Sequence, residues 1–148
     1  MAVKAKPDGY HAITPYLVVD GAARLIDFLE EVFDAEQVER IAAPGGRIGH
    51  AEVRIGDSLV MLGDAHAEHK PTQAMLYVYV DDADATYQRA LAVGATSVQA
   101  PVDQFYGDRS GRVKDACGNV WWIATHIEDV PPAELKRRAQ AAMEKAGG

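Results

Sequence analysis

The sequence predicts an α+β fold built from two copies of a βαβββ unit, and three observations carry that prediction. Period-two alternation and helical spacing follow one another in the same order twice along the chain. The two runs match at an offset of about sixty residues, VVDGAARLIDFLEEVF (18–33) against YVDDADATYQRALAVG (79–94) and VRIGDSLVMLGD (53–64) against VKDACGNVWWIAT (113–125). The length of 148 residues, with 48% hydrophobic and 25% charged residues, is that of a globular chain able to hold its own core.

The elements follow in order. ITPYLVV (13–19) alternates as a first strand, with Ile13, Pro15, Leu17 and Val19 on one face and Thr14, Tyr16 and Val18 on the other. Asp20 is a natural N-cap for a helix whose Ala22, Leu25, Ile26, Leu29 and Val32 recur at helical spacing up to Phe33-Asp34. A strand over 36–42 and a Pro44-Gly45-Gly46 turn lead into RIGHAEVRI. There Ala51, Val53 and Ile55 oppose His50, Glu52 and Arg54, and the Gly56-Asp57 turn passes to SLVML. The polar stretch DAHAEHKPTQ joins this half to the next. The second half repeats the scheme. MLYVYV (75–80) is a strand, Asp81 or Asp82 caps a helix with Ala83, Thr86, Tyr87, Ala90 and Leu91, and Gly94 closes it. Strands are predicted at 96–100 and 110–115, then a turn at Cys117-Gly118-Asn119 and the strand VWWIAT. From 131 onward a proline-led helix is predicted.

Composition excludes several classes of function. The net charge of −7 and a pI near 5.1 argue against nucleic acid as a partner and suit a neutral or cationic small ligand, or simple solubility. No apolar run approaches the roughly 20 residues of a membrane span, so no membrane partner is expected. Cys117 is the only cysteine and the N-terminal stretch lacks a secretory apolar region; both point to the cytoplasm.

With ITPYLVVDGAARLIDFLEEVFDAE, AEVRIGDSLVMLGD and YGDRSGRVKDACGNVWWIATHIEDV in this order, the chain resembles the vicinal oxygen chelate superfamily. That group spans glyoxalase I, bleomycin-resistance proteins and extradiol dioxygenases, and the last segment is most similar to the PhnB-like branch. The resemblance covers residues 12 to 130. It implies one module over about 12–65 and a second over about 74–130, with a helical tail over 131–148. It further implies curved mixed sheets around a cup-shaped cavity, and a homodimer. Metal-dependent members place His or Glu on cup-facing positions of four strands. Those positions here hold Thr14, Met61, Met75 and Trp122, a set unable to hold a hard divalent cation, so no metal and no cofactor are expected.

Strand alternation supplies the candidate ligand-binding residues. Thr14, Tyr16, Met61, Met75, Tyr77 and Tyr79 share the cup side; alternation sets Trp121 and Trp122 on opposite faces, and the repeat alignment assigns Trp122 to the cup and leaves Trp121 to the core. An aromatic-lined hollow suits a planar ligand; the same rings also serve simply to fill space. His50 and Glu52 form a polar pair on the cup side, either a base with its orienting carboxylate or an ordinary cross-strand ion pair with Arg54 or Arg112. In the glycine-rich stretch 106–112, Asp108 and Arg109 are expected to clamp one another, leaving Arg109 able to reach the mouth of the site. His66 and His69 lie in a loop, and His11 and His126 at element ends read as structural or exposed. Catalytic residues are not identifiable. The leading expectation is a protein binding a small planar, largely apolar ligand in an aromatic cup without the metal. Alternatives are a metal-dependent lyase or isomerase of the glyoxalase type, drawing ligands from His50 and Glu52, and a structural dimer with a vestigial cavity.

Overall fold

In the computed structural model, which describes residues 2–147, two four-stranded mixed sheets enclose a shared helical layer. The first module runs β1 (Tyr16–Val19), α1 (Ala22–Phe33), β2 (Glu36–Ala43), β3 (Arg47–Ile55) and β4 (Ser58–Asp64), in the sheet order β1-β4-β3-β2. The second runs β5 (Met75–Tyr79), α2 (Ala83–Ala92), β6 (Thr96–Asp103), β7 (Asp108–Lys114) and β8 (Val120–His126), in the order β5-β8-β7-β6. In each sheet the first strand pairs in parallel with the last, and the remaining pairs are antiparallel. This is the βαβββ unit twice. A final helix, α3 (Pro132–Gly147), is tied to the body by Arg138, which donates to Glu128 and to the Phe105 carbonyl. No helix among the described residues is long and apolar enough to cross a membrane.

The core lies between the sheets. Leu25, Ile26, Leu29 and Val32 of α1 are buried on the inner face of the first sheet, with Ala51, Val53 and Leu62. The same helix turns Phe28 and Phe33 onto the indole of Trp121 in β8, at centroid distances of 6.4 and 5.5 Å. Arg89 of α2 donates to the Val32 carbonyl at the end of α1, a second tie between the modules. Trp121 itself is fully buried, and its indole N–H donates to Asp115 at 2.7 Å. One apolar layer therefore serves both modules, and the opposite faces of both sheets look outward.

Three local expectations change. β1 starts at Tyr16 rather than Ile13, because Pro15 has no N–H to give and contributes only its carbonyl, to the Met61 N–H. Asp20 does not cap α1. The Gly21 and Ala22 N–H groups donate instead to Asp64 Oδ1, at 3.0 and 2.8 Å, while Ile48 N–H donates to Oδ2 at 2.7 Å. The equivalent residue of the second module, Thr125, accepts from Ala83 N–H at 2.9 Å. Each helix is thus held at its start from the end of its module's last strand, though Asp82 also caps α2 as predicted. Finally, the strand predicted at 110–115 starts earlier, and only 106–107 of the glycine-rich stretch belong to a turn. β7 begins at Asp108, and β6 continues to Asp103 beside it.

Burial works to raise the Asp64 pKa, but the Ala22, Ile48 and Gly21 N–H groups and nearby Arg47 outweigh it and hold the carboxyl below its ordinary value. A depressed native pKa stabilises the fold above the unfolded value of about 3.9, and that stabilisation disappears as pH falls through the native pKa. Asp64→Ala is therefore expected to cost about 1–2 kcal/mol in urea unfolding at pH 7. The gap from wild type should narrow below about pH 4.

Candidate functional site

The outward face of the first sheet is built from Tyr16, Met61, Glu52 and His50. Backbone register puts Tyr16 beside Met61 and Met61 beside Glu52. The Tyr16 hydroxyl lies 3.2 Å from His50 Nδ1, and His50 Nε2 lies 3.0 Å from Glu52 Oε2. A carboxylate on one ring nitrogen and a phenol on the other fix the imidazole, an arrangement able to pass a proton across the ring. Glu52 thus takes His50 as partner, while Arg54 reaches toward Glu36. Thr14 precedes β1 and is half-buried.

The second sheet carries the aromatic face. Register aligns Gln99, Arg112, Trp122 and Tyr77 across β6, β7, β8 and β5. Tyr77 stacks on Trp122 at 5.4 Å and 27°, and Tyr79 stands 5.3 Å from Tyr77. On the other flank of Trp122, the Arg112 guanidinium sits 4.6 Å from the ring centroid. These rings are open in the single chain. Tyr79 is 63% exposed and Met75 66%, against full burial for Trp121 one residue from Trp122. The alternation of the two tryptophans is as the strand reading predicts.

The end of this face holds a cluster that sequence reasoning missed. Asp108 is 2% exposed, and its Oδ2 accepts from the Tyr77 hydroxyl at 2.6 Å and the Tyr79 hydroxyl at 2.8 Å. Oδ1 lies 2.8 Å from His126 Nδ1, and His126 Nε2 lies 2.7 Å from Asp129. Burial works to raise the Asp108 pKa, but donation from Tyr77, His126 and Tyr79 outweighs it and keeps the carboxyl ionised. Hydrogen bonding to Asp108 and then to Asp129 lifts His126 above its ordinary value. Burial and Asp108 raise Tyr77, and Asp108 raises Tyr79. Both phenols stay protonated, with their protons directed inward to the carboxylate.

The expected Asp108–Arg109 clamp does not form. Neighbours in a strand point to opposite faces, so Arg109 turns to the helix side. There it pairs with Asp84 of α2 at 2.7 Å and with Asp103 at 3.1 Å. It is not brought together with Tyr77 and Trp122. His126 is likewise no lone residue but half of an ion pair. The glycines of this stretch serve close packing. A side chain at Gly107 would strike the Glu128 carbonyl, and one at Gly111 would press on β6 at Gln99 and Pro101.

A metal of the family type has no fitting ligand set on these faces. Met61, Met75 and Trp122 offer thioethers and an indole, and Thr14 a lone hydroxyl. His66 and His69 face each other in the linker with ring centroids 4.9 Å apart. Among the described residues no three His, Cys, Asp or Glu side chains converge. Burial and then Asp115 raise the Cys117 pKa, which leaves that thiol a poor nucleophile.

The comparisons with known proteins agree with this geometry. The profile of the Glyoxalase/Bleomycin resistance protein/Dioxygenase superfamily matches residues 9–123. The chain belongs to this superfamily. It is 37% identical to an uncharacterised protein of Mycobacterium bovis over 99% of each chain. The crystal structure of TioX from Micromonospora sp. ML1 matches with a TM-score of 0.67 and 28% identity, over 79% of this chain and 99% of that one. Two further structures share the fold at lower identity. One is the fosfomycin resistance protein FosX from Mesorhizobium loti, with a TM-score of 0.57 and 20% identity over 78% of this chain and 91% of that one. The other is a PhnB protein from Bacillus cereus, with a TM-score of 0.63 and 22% identity over 78% and 99%.

The two tryptophans give a direct test of the facing. Trp121→Ala empties a packed core site and is expected to cost roughly 3–5 kcal/mol in urea unfolding. Trp122→Ala removes a ring at an open face and is expected to cost under about half of that.

Proposed function

We propose that this superfamily member binds a small planar, largely apolar ligand on its aromatic outer face, without the family's metal. The observation that carries this reading is the outward row Tyr79, Tyr77 and Trp122. A protein folding for stability alone gains little by leaving such rings in water, and contiguous exposed apolar surface marks a binding face. The rings supply stacking area, and the polar cluster at Asp108 holds Tyr77 and Tyr79 in place, so little ordering cost remains when a ligand arrives. The donor chemistry of Thr14, Met61, Met75 and Trp122 supports the metal-free form.

The packing supports a homodimer as part of this reading. Each chain joins its modules through their helical sides, so the Tyr16–His50–Glu52 face and the Tyr77–Trp122 face point away from one another. One face alone is half a cup. Two copies related by a twofold axis can set the first-module face of one against the second-module face of the other, closing two equivalent cups.

Binding is read from tryptophan fluorescence, since Trp121 is shielded and Trp122 is not. Titration with a panel of naphthalene and quinoline compounds should quench or shift the emission. Trp122→Ala should lower affinity about tenfold or more, through the lost stacking contact and its area. Calorimetry with nickel, zinc or manganese should detect no tight site once His66 and His69 are replaced. A stoichiometric micromolar site in that variant, or no binding anywhere in the panel, contradicts the reading.

A further inference from the structure

Arg112 differs from the arginines that hold carboxylates. Arg109 and Arg138 each hold two carboxylates. Arg112 lies on the outer face over Trp122, and its one side-chain hydrogen bond is a long one, Nη2 to the Gln99 amide oxygen at 3.4 Å. Among the described residues no carboxylate is within ion-pair distance of it. Its Nε is buried yet finds no acceptor, the one such side-chain nitrogen or oxygen among the described residues. A buried donor left unmet is costly, and a ligand at the face cannot reach it, so the Nη edge is the part of this guanidinium left to a partner. The Trp122 ring attracts the cation but offers its Nε–H no lone pair in the guanidinium plane.

We infer that Arg112 is the anchor for an anionic group on the ligand, and that the ligand is a planar aromatic acid, with a carboxylate as the matching anion. This rests on the proposed binding at the aromatic face and names the chemical class that binds there. The Nη edge of a guanidinium presents two N–H groups as a fork that a carboxylate meets with both oxygens. An aromatic ring bearing that carboxylate would then lie along the Trp122, Tyr77 and Tyr79 row. The far end of the row fixes the direction. There the Tyr77 and Tyr79 protons are committed to Asp108, so the phenol oxygens offer only lone pairs, beside an ionised carboxylate. With Asp108 paired to His126 and the Tyr106 hydroxyl 3.2 Å from that of Tyr77, the donors of that end are already committed, and an anion is held at the Arg112 end. The overall charge of −7 predicts the opposite preference, so the local geometry and the global charge give different answers.

The test compares three probes of one shape by calorimetry on the full chain: 2-naphthoate, 2-naphthylmethanol and 2-naphthylmethylammonium. The expected result is that naphthoate binds about tenfold or more tighter than the alcohol, and the ammonium weakest. Arg112→Gln should erase the advantage of naphthoate while leaving the alcohol within about threefold. Arg112→Lys, which keeps charge but loses the fork, should restore only part of it. Circular dichroism and thermal unfolding establish that both variants are folded, and the ranking of the three probes on wild-type protein stands even if one variant is not. Equal affinities, or a preference for the ammonium, overturn the inference and leave binding at the aromatic face intact. Failure of all three probes to bind overturns that reading, and the inference with it.

Discussion

Everything in this chain is arranged around the contact of α1 with two sheets at once. The helix buries Leu25, Leu29 and Val32 on its own sheet and lays Phe28 and Phe33 on Trp121 of the other. A helix normally spends one apolar stripe on one partner. Here the stripe is wide enough to serve both modules, and a single core results. Because the two sheets share that layer, their other faces cannot meet within the chain. The cup we propose is therefore divided into two open halves.

The second of those halves is polarised along its strands. At one end Asp108 gathers two phenol protons and the His126 imidazole, whose other nitrogen is taken by Asp129. At the other end Arg112 is left with an unmet donor. Between them lie Tyr77 and Trp122, stacked and partly open. The first half differs in kind. Its Tyr16–His50–Glu52 line is a chain of groups able to shift protons, with no large ring surface beyond Tyr16. A closed cup would thus combine a stacking wall from one module with a proton-handling wall from the other.

Much of this was legible in the sequence where period two governs. Alternation sets Trp121 and Trp122 on opposite faces and His50 and Glu52 on the same one, because a strand's geometry fixes these relations locally, and the repeat alignment says which tryptophan faces out. The repeat disclosed the module order for the same reason. What stayed hidden depends on distant residues or on an element that was mistaken. Asp64 caps α1 from forty-odd positions away. The aligned repeat carried a hint, since Asp64 and Thr125 are equivalent and both can accept from a backbone N–H. The Asp108–Arg109 clamp fails because neighbours in a strand point to opposite faces. Reading 108–114 as a strand would have separated them and grouped Asp108, Ser110 and Arg112 on the Trp122 face. The partners of Asp108, Tyr77 and His126, come from two other strands, and no local rule names them.

The central claim is that one binding cup draws a wall from each of two chains. Co-expression of His50→Ala and Trp122→Ala chains tests it most directly, with stoichiometry read by titrating the tightest-binding panel compound. Neither variant alone forms a cup with both walls intact. If walls are shared across a twofold dimer, each mixed dimer regains one whole cup, and random pairing returns about a quarter of the wild-type sites at wild-type affinity. If each cup belongs to one chain, mixing restores none.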